Sequence, residues 1–166
     1  VWVLTQMGDA GLSTSITVGS SSFAYTSQTA IAFHVDSTGA ITNAAMIYDS
    51  DVMPNVYSIA GVSDGYYVGG DKYNPAGTLT LGSQTLTSMG AYVAHYSTST
   101  NDFDAFKVIP STSLPNLDNL VWTGTGSDVL VVAAFHPPAN HHLYGSEYFS
   151  ASFASQLVVL KLAAPP

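Results

Sequence analysis

Ser63-Asp64 followed by Gly65-Tyr66-Tyr67-Val68-Gly69-Gly70 reads as a turn feeding a strand, and the device returns at Ser127-Asp128 followed by Val129-Leu130-Val131-Val132-Ala133-Ala134. Asp and Gly tolerate the positive φ of a tight hairpin, so each copy delivers the chain into a run of β-branched, aromatic and small residues. The two copies lie 64 residues apart. On one side of them, Ile16-Thr17-Val18-Gly19-Ser20 aligns with Leu79-Thr80-Leu81-Gly82-Ser83 at an offset of 63, and Tyr144-Gly145-Ser146 follows at another 63. On the other side, Ala30-Ile31-Ala32-Phe33-His34-Val35 aligns with Ala91-Tyr92-Val93-Ala94-His95-Tyr96 at 61, and Gln156-Leu157-Val158-Val159-Leu160-Lys161-Leu162 takes the same place about 66 further on. Three anchors in a constant order define a repeating unit of roughly 63 residues.

No window of a dozen residues keeps an apolar stripe at helical spacing, whereas short β-branched and aromatic runs bounded by Gly, Asn, Asp and Ser recur throughout. About ten principal strands are predicted: Val1–Met7, Thr29–Val35, Ile41–Ile47, Val56–Val62, Gly65–Gly70, Ala91–Tyr96, Asp104–Ile109, Leu120–Gly124, Val129–Phe135 and Gln156–Leu162. Weaker extended pieces fall at Ser15–Val18, Thr78–Leu81 and Leu143–Tyr148. In the complete middle unit, strand a is Val56–Val62, b is Gly65–Gly70, c is Ala91–Tyr96 and d is Asp104–Ile109, with a long b–c connection. Four antiparallel strands per repeat is the pattern of a β-propeller blade.

The expected fold is therefore all-β: one β-repeat domain over residues 1–166, built of four-stranded antiparallel blades of a β-propeller. Residues 1–50 form a partial blade, 51–112 a complete one and 113–166 a second partial one. At about 2.6 units the chain falls short of the four to eight blades of a closed ring. It starts at Val1 on a strand b and ends after a strand c, as would a processed product or a piece of something longer. Val1, Trp2 and Val3 at one end, and Leu157, Val158, Val159 and Leu160 at the other, become candidate interaction edges, because unpaired strand edges are ordinarily covered. The alternative all-β arrangement is a two-sheet sandwich in which strands pair across repeats.

The middle unit resembles the SBBP-type β-propeller repeats, whose pattern runs D-G-N-x-Y-V-x-G, F-G, L and G-x-D-x-F-V-A-K-Y. Here that pattern reads Asp64-Gly65-Tyr66-Tyr67-Val68-Gly69-Gly70, Leu81-Gly82, Leu86 and Gly90-Ala91-Tyr92-Val93-Ala94-His95-Tyr96. The lysine position of the pattern is held by His34, His95 and Lys161 in the three units, and Gly90 precedes strand c where the pattern is acidic. The resemblance implies exported or surface-associated proteins with binding or structural roles and no shared catalytic residues.

Composition narrows the function classes. Hydrophobic residues make up 46% and charged residues only 8%, with three basic residues and a net charge of −8. Without a basic cluster the chain has nothing to displace counterions from nucleic acid or anionic lipid. Apolar runs stay far below the roughly 18 residues of a spanning helix. There is no cysteine, which removes disulfides and thiolate chemistry. Ser and Thr, 37 together, supply the polar surface, a composition more usual outside the cytosol.

Residues able to carry chemistry are few. His136, His141 and His142 with Glu147 offer imidazole and carboxylate ligands for zinc or copper. Adjacent histidines on an extended chain point opposite ways, so a solvated loop competes with that reading. His34 and His95 recur at one repeat position, as a structural residue would. The acidic pairs Asp49/Asp51 and Asp102/Asp104 lie at turns and supply too few oxygens for calcium by themselves. Tyr66, Tyr67, Tyr92, Tyr96, Trp122, Tyr144, Tyr148 and Phe149 serve either blade cores or a contact surface. No nucleophile elbow, phosphate loop or dinucleotide fingerprint is present.

These readings lead to a non-catalytic structural or protein-interaction module, with no catalytic residue and no cofactor. It would sit at the cell surface, outside the cell or in an organelle lumen. Its partners would be other protein chains, a further stretch of a longer polypeptide, or copies of itself. A lectin-type ligand-binding propeller is the alternative, and a hydrolase a more distant one.

Overall fold

The computed structural model describes the backbone of residues 1–8, 14–50, 54–72, 74, 76–87, 90–110, 115–122, 129–135, 140–143, 147–150 and 156–162, with side chains as far as residue 105. The first unit contains β1 (Trp2–Met7), β2 (Thr14–Val18), β3 (Ser21–Tyr25), β4 (Gln28–Val35) and β5 (Ile41–Ser50). The second contains β6 (Pro54–Val62), β7 (Gly65–Lys72), β8 (Leu79–Leu81), β9 (Gln84–Leu86), β10 (Gly90–Ser97) and β11 (Asp102–Pro110). The third contains β12 (Pro115–Trp122), β13 (Val129–Phe135), β14 (Asn140–Leu143), β15 (Glu147–Ser150) and β16 (Gln156–Leu162). Every described element is a strand, and each of the ten principal strands expected from the sequence overlaps one of them.

Pairing is antiparallel throughout and stays within the units. The sheets run β1-β4-β5, then β11-β10-β7-β6, then β12-β13-β16, and none is closed. The cross-repeat pairing of a two-sheet sandwich does not occur among the described residues. Each b–c connection carries a separate hairpin: β2-β3, β8-β9 and β14-β15. From the sequence only the first arm of the leading two is expected, and Leu143–Tyr148 reads as a single extended piece. In fact β14 ends at Leu143 and β15 starts at Glu147. Gly19 (φ 61°) and Gly82 (φ 57°) occupy the same place in the first two hairpins. The registers Val18↔Ser21 and Leu81↔Gln84 leave two-residue loops, whose primed turns require that left-handed glycine.

Gly65 plays a different part from the one its turn motif suggests. Its φ is not positive. A Cβ there would lie 1.8 Å from the carbonyl oxygen of Tyr96, so the glycine lets β7 approach β10 closely at the sheet end.

The core lies between the first two sheets. Ala30, Ala32, Ala45 and Ile47 line one wall, and Val68, Tyr66, Tyr92, Tyr96 and Phe103 line the other, with Leu79, Leu81 and Leu86 of the hairpin closing the side. Small residues on one sheet thus receive large aromatics from the other. Tyr66 stacks on Tyr96 at 4.8 Å and meets Phe103 edge-on at 6.4 Å.

Strand periodicity fixes which faces meet. Ala30 and Ala32 share a face with His34, while Tyr92, Ala94 and Tyr96 share the face opposite His95. His34 and His95 are repeat equivalents, so the first sheet presents its histidine face to the second, and the second presents its non-histidine face to the first. The histidine face of the second sheet is turned the other way. β12 runs against β6 and β7. With neighbours of this kind, β7 and β10 are buried at every position, both faces included.

Candidate functional site

The candidate edges are placed as outer strands. Among the described residues β1 pairs only with β4, and β16 only with β13. Val1 is 83% exposed, and its ammonium donates to the Val35 carbonyl at 2.6 Å. Trp2 leans on the second sheet, its ring 4.5 Å from that of Tyr66. Val3 lies opposite Phe33 on the outer face. Leu157, Val158, Val159 and Leu160 lie opposite Ala134, Ala133, Val132 and Val131. A side-chain bridge ties β1 to the next unit: Gln6 donates from Nε2 to the Pro54 carbonyl at 3.3 Å and accepts from the Val56 N–H at 3.4 Å.

The two histidines make one construction twice. His34 stands opposite Trp2 and His95 opposite Tyr67, with ring centroids 5.2 and 4.6 Å apart. Each engages the following strand through Nδ1: His34 meets Thr42 Oγ1 at 2.8 Å, and His95 meets Asp104 Oδ1 at 2.6 Å. His95 is buried and its Nε2 lies 3.5 Å from Asp64 Oδ1, so each ring nitrogen faces a carboxylate. The carboxylates engage opposite sides of the ring and do not converge beside it on a common point. Among the described residues no group of three or more His, Asp or Glu is arranged to hold a metal.

A second polar cluster was not legible, because strand b was expected to end at Gly70. β7 continues through Asp71 and Lys72, and both are buried. Asp71 accepts from Asn55 Nδ2 at 2.9 Å and from the Tyr57 hydroxyl at 3.1 Å. Burial raises its pKa, opposed by these two bonds. The Tyr92 hydroxyl donates to the Asn55 carbonyl at 3.0 Å, and that of Tyr48 donates to Pro54 at 2.9 Å. Both phenols are pushed well above their ordinary range by burial and stay neutral donors. Lys72 donates to the Asn74 carbonyl at 2.5 Å, and burial lowers its pKa. Both oxygens of Asp71 are occupied by local donors. The cluster clamps the start of β6 to β7 and to the first sheet.

The acidic pairs are turn chemistry. Asp49 accepts from the N–H groups of Thr26 and Ser27 and from the Thr26 hydroxyl. Asp102 accepts from the Phe103 N–H at 2.7 Å, and Asp104 holds His95. Asp51 lies outside the described residues. So do His136 and Tyr144, while His141 and His142 fall on β14, and Glu147 opens β15 opposite Leu143. Trp122 ends β12, and Tyr148 and Phe149 lie on β15. Tyr66, Tyr67, Tyr92 and Tyr96 are buried.

An open cavity of about 390 Å³ lies between β5 and the start of β11, lined by Asn43, Asn101, Asp102, Tyr96 and Phe103 among others. Tyr96 and Phe103 are committed to the core and offer no free ring face.

The outer face of the first unit stands apart from these polar sites. By repeat alignment, Val1, Val3, Ile16, Val18, Phe23, Ile31, Phe33 and Val35 correspond to Tyr66, Val68, Leu79, Leu81, Leu86, Tyr92, Ala94 and Tyr96. All eight of the latter are buried in the core between sheets. All eight of the former are apolar as well, yet only Val18 and Ile31 are buried.

No protein-family model, curated protein or solved structure matches the chain. Among the described residues no helix is long and apolar enough to cross a membrane.

Proposed function

We propose that the chain is a non-catalytic interaction module composed of β-propeller-type blades of the SBBP kind, working in an assembly outside the cell or at its surface. One observation supports this reading: the first sheet turns its histidine face onto the non-histidine face of the second, and a like succession of further sheets would be that of blades around a ring. On this reading residues 1–50 and 113–166 are partial blades flanking the complete blade 51–112, and β1 and β16 are its docking edges. The described polar clusters fit the same view, since His95, Asp71 and Asp49 spend their bonding capacity on the chain itself.

A lectin-type function is favoured only by the cavity beside Asn43, Asn101 and Asp102, and it lacks an exposed aromatic platform. Hydrogen exchange by mass spectrometry tests the module. Slow exchange is expected across β7 and β10 as the centre of the stack. Fast exchange in those two strands overturns the stacked arrangement, and saturable sugar binding abolished by Asp102→Ala overturns the choice of function.

A further inference from the structure

We propose that the cavity between β5 and the start of β11 binds a primary ammonium group carried on a short aliphatic stem, as on a lysine side chain or a free alkylamine. The inference stands on this cavity and not on the proposed succession of blades. At about 390 Å³ the cavity lies at the small end of the range of ligand sites, about 300–1,000 Å³. One wall is the outer strand β5, whose Ala44 and Met46 supply apolar surface for a stem, and the other wall carries Asn101 and Asp102.

The deciding group is Tyr96. It is only 6% exposed and lines the cavity, yet its hydroxyl makes no hydrogen bond among the described residues. The hydroxyl of the stacked Tyr66 is also without a partner, but it is sealed in the core, so only that of Tyr96 can meet a ligand. Burial first, and the Asp102 charge after it, push the Tyr96 phenol up and keep it a neutral hydroxyl. Asp102 accepts from the Phe103 N–H through Oδ1 at 2.7 Å, which leaves Oδ2 unengaged among the described residues. A guanidinium fork seeks both oxygens of a carboxylate, whereas an ammonium is satisfied by one. Its remaining two N–H groups can turn to the Tyr96 hydroxyl and to the side-chain carbonyl of Asn43 or Asn101. No cationic side chain lines the cavity to neutralise Asp102, and a net charge of −8 draws cations toward the chain. A metal ion wants more oxygens than one free carboxylate supplies, and Asp104 is engaged with His95.

The test is an NMR titration of the intact chain with n-butylammonium chloride, with n-butanol as the uncharged counterpart and a lysine residue capped at both ends to separate the two sources. Saturable shifts centred on the amides of residues 43–47 and 101–103 are expected with the ammonium and not with the alcohol. Asp102→Asn keeps an oxygen for the Phe103 N–H but loses the charge, and should weaken binding by about tenfold. Tyr96→Phe removes a hydroxyl that bonds nothing in the described chain, so it keeps the test valid where Asp102→Asn unfolds, and should weaken binding by about threefold. Shifts of the same kind with the capped lysine assign the site to a lysine of another protein, and shifts with n-butylammonium alone assign it to a free amine. The inference is overturned by the absence of saturable shifts with either ammonium, by equal shifts with n-butanol, or by a folded Asp102→Asn or Tyr96→Phe variant that binds as the native chain does.

Discussion

The indole of Trp2 packs 4.5 Å from the phenol ring of Tyr66, tilted by 51°, and this pair joins the edge strand of one sheet to the interior of the next. Gly61 makes room for it: a Cβ at that position would come within 2.7 Å of the indole Cδ1. Trp2→Ala is expected to cost about 2–3 kcal/mol in urea unfolding, toward the low end for aromatic truncation because the ring is only partly buried. Gly61→Ala should destabilise the native chain but much less in the Trp2→Ala background. A double-mutant cycle reads that coupling directly.

Two tyrosines on neighbouring strands should respond oppositely to loss of the hydroxyl. The Tyr66 hydroxyl is buried without a hydrogen-bond partner, whereas that of Tyr92 donates to the Asn55 carbonyl at 3.0 Å. Tyr66→Phe is expected to be neutral or stabilising by up to about 1 kcal/mol, and Tyr92→Phe to cost about 1 kcal/mol or more, as measured by denaturant midpoints.

Asp71 sets a pH dependence with a definite sign. Burial raises its folded-state pKa, so the folded chain holds the proton more tightly than the unfolded one. Its contribution is then greatest below the ordinary carboxylate value of about 4 and declines as pH rises through the raised value. Asp36 acts in the opposite direction. Hydrogen bonds from the Thr38 hydroxyl, then from the Thr38 and Ala40 N–H groups, lower its pKa, so its stabilisation is present above about pH 4 and lost as pH falls through the lowered value. Melting temperature against pH should show both limbs. Asp71→Asn should flatten the upper one, and Asp36→Ala the lower one.

The hairpin glycines are expected to be intolerant of a side chain to different degrees. Gly82→Ala places a Cβ 2.3 Å from Asp102 Oδ1 at φ 57°, and Gly19→Ala places one 2.9 Å from Ile41 Cγ2 at φ 61°. Each pays about 1–2 kcal/mol for the left-handed backbone. Gly82→Ala should cost more, because Asp102 also caps the start of β11 through the Phe103 N–H. Thermal unfolding of the two variants side by side checks the order.

The principal strands were legible because their β-branched and aromatic runs are long and their repeats align. The second arms of the hairpins were not. Ser21-Ser22-Phe23-Ala24-Tyr25 and Gln84-Thr85-Leu86 are short, with few β-branched residues, and acquire strand form from their partners and from the two-residue glycine loop. Strand b is expected to stop at Gly70, so Asp71 and Lys72 fall outside it in the sequence. Their burial depends on Asn55, Tyr57 and Asn74, which no local pattern connects to them. His34 and His95 were correctly placed as equivalents, but only the fold brings Thr42 and Asp104 to their Nδ1 atoms. Gly65 looked like a φ-driven turn residue, and its actual requirement, the closeness of the Tyr96 carbonyl, is set by a strand about thirty residues away.

The proposed stacking of like units also bears on ancestry. When the giving and receiving walls belong to one unit, tandem duplication of its coding segment adds a layer whose two new junctions reproduce the old one, and no surface has to be invented. The divergence between Ala30-Ile31-Ala32-Phe33 and Ala91-Tyr92-Val93-Ala94 is then what repacking leaves behind once each copy has settled against its own neighbours.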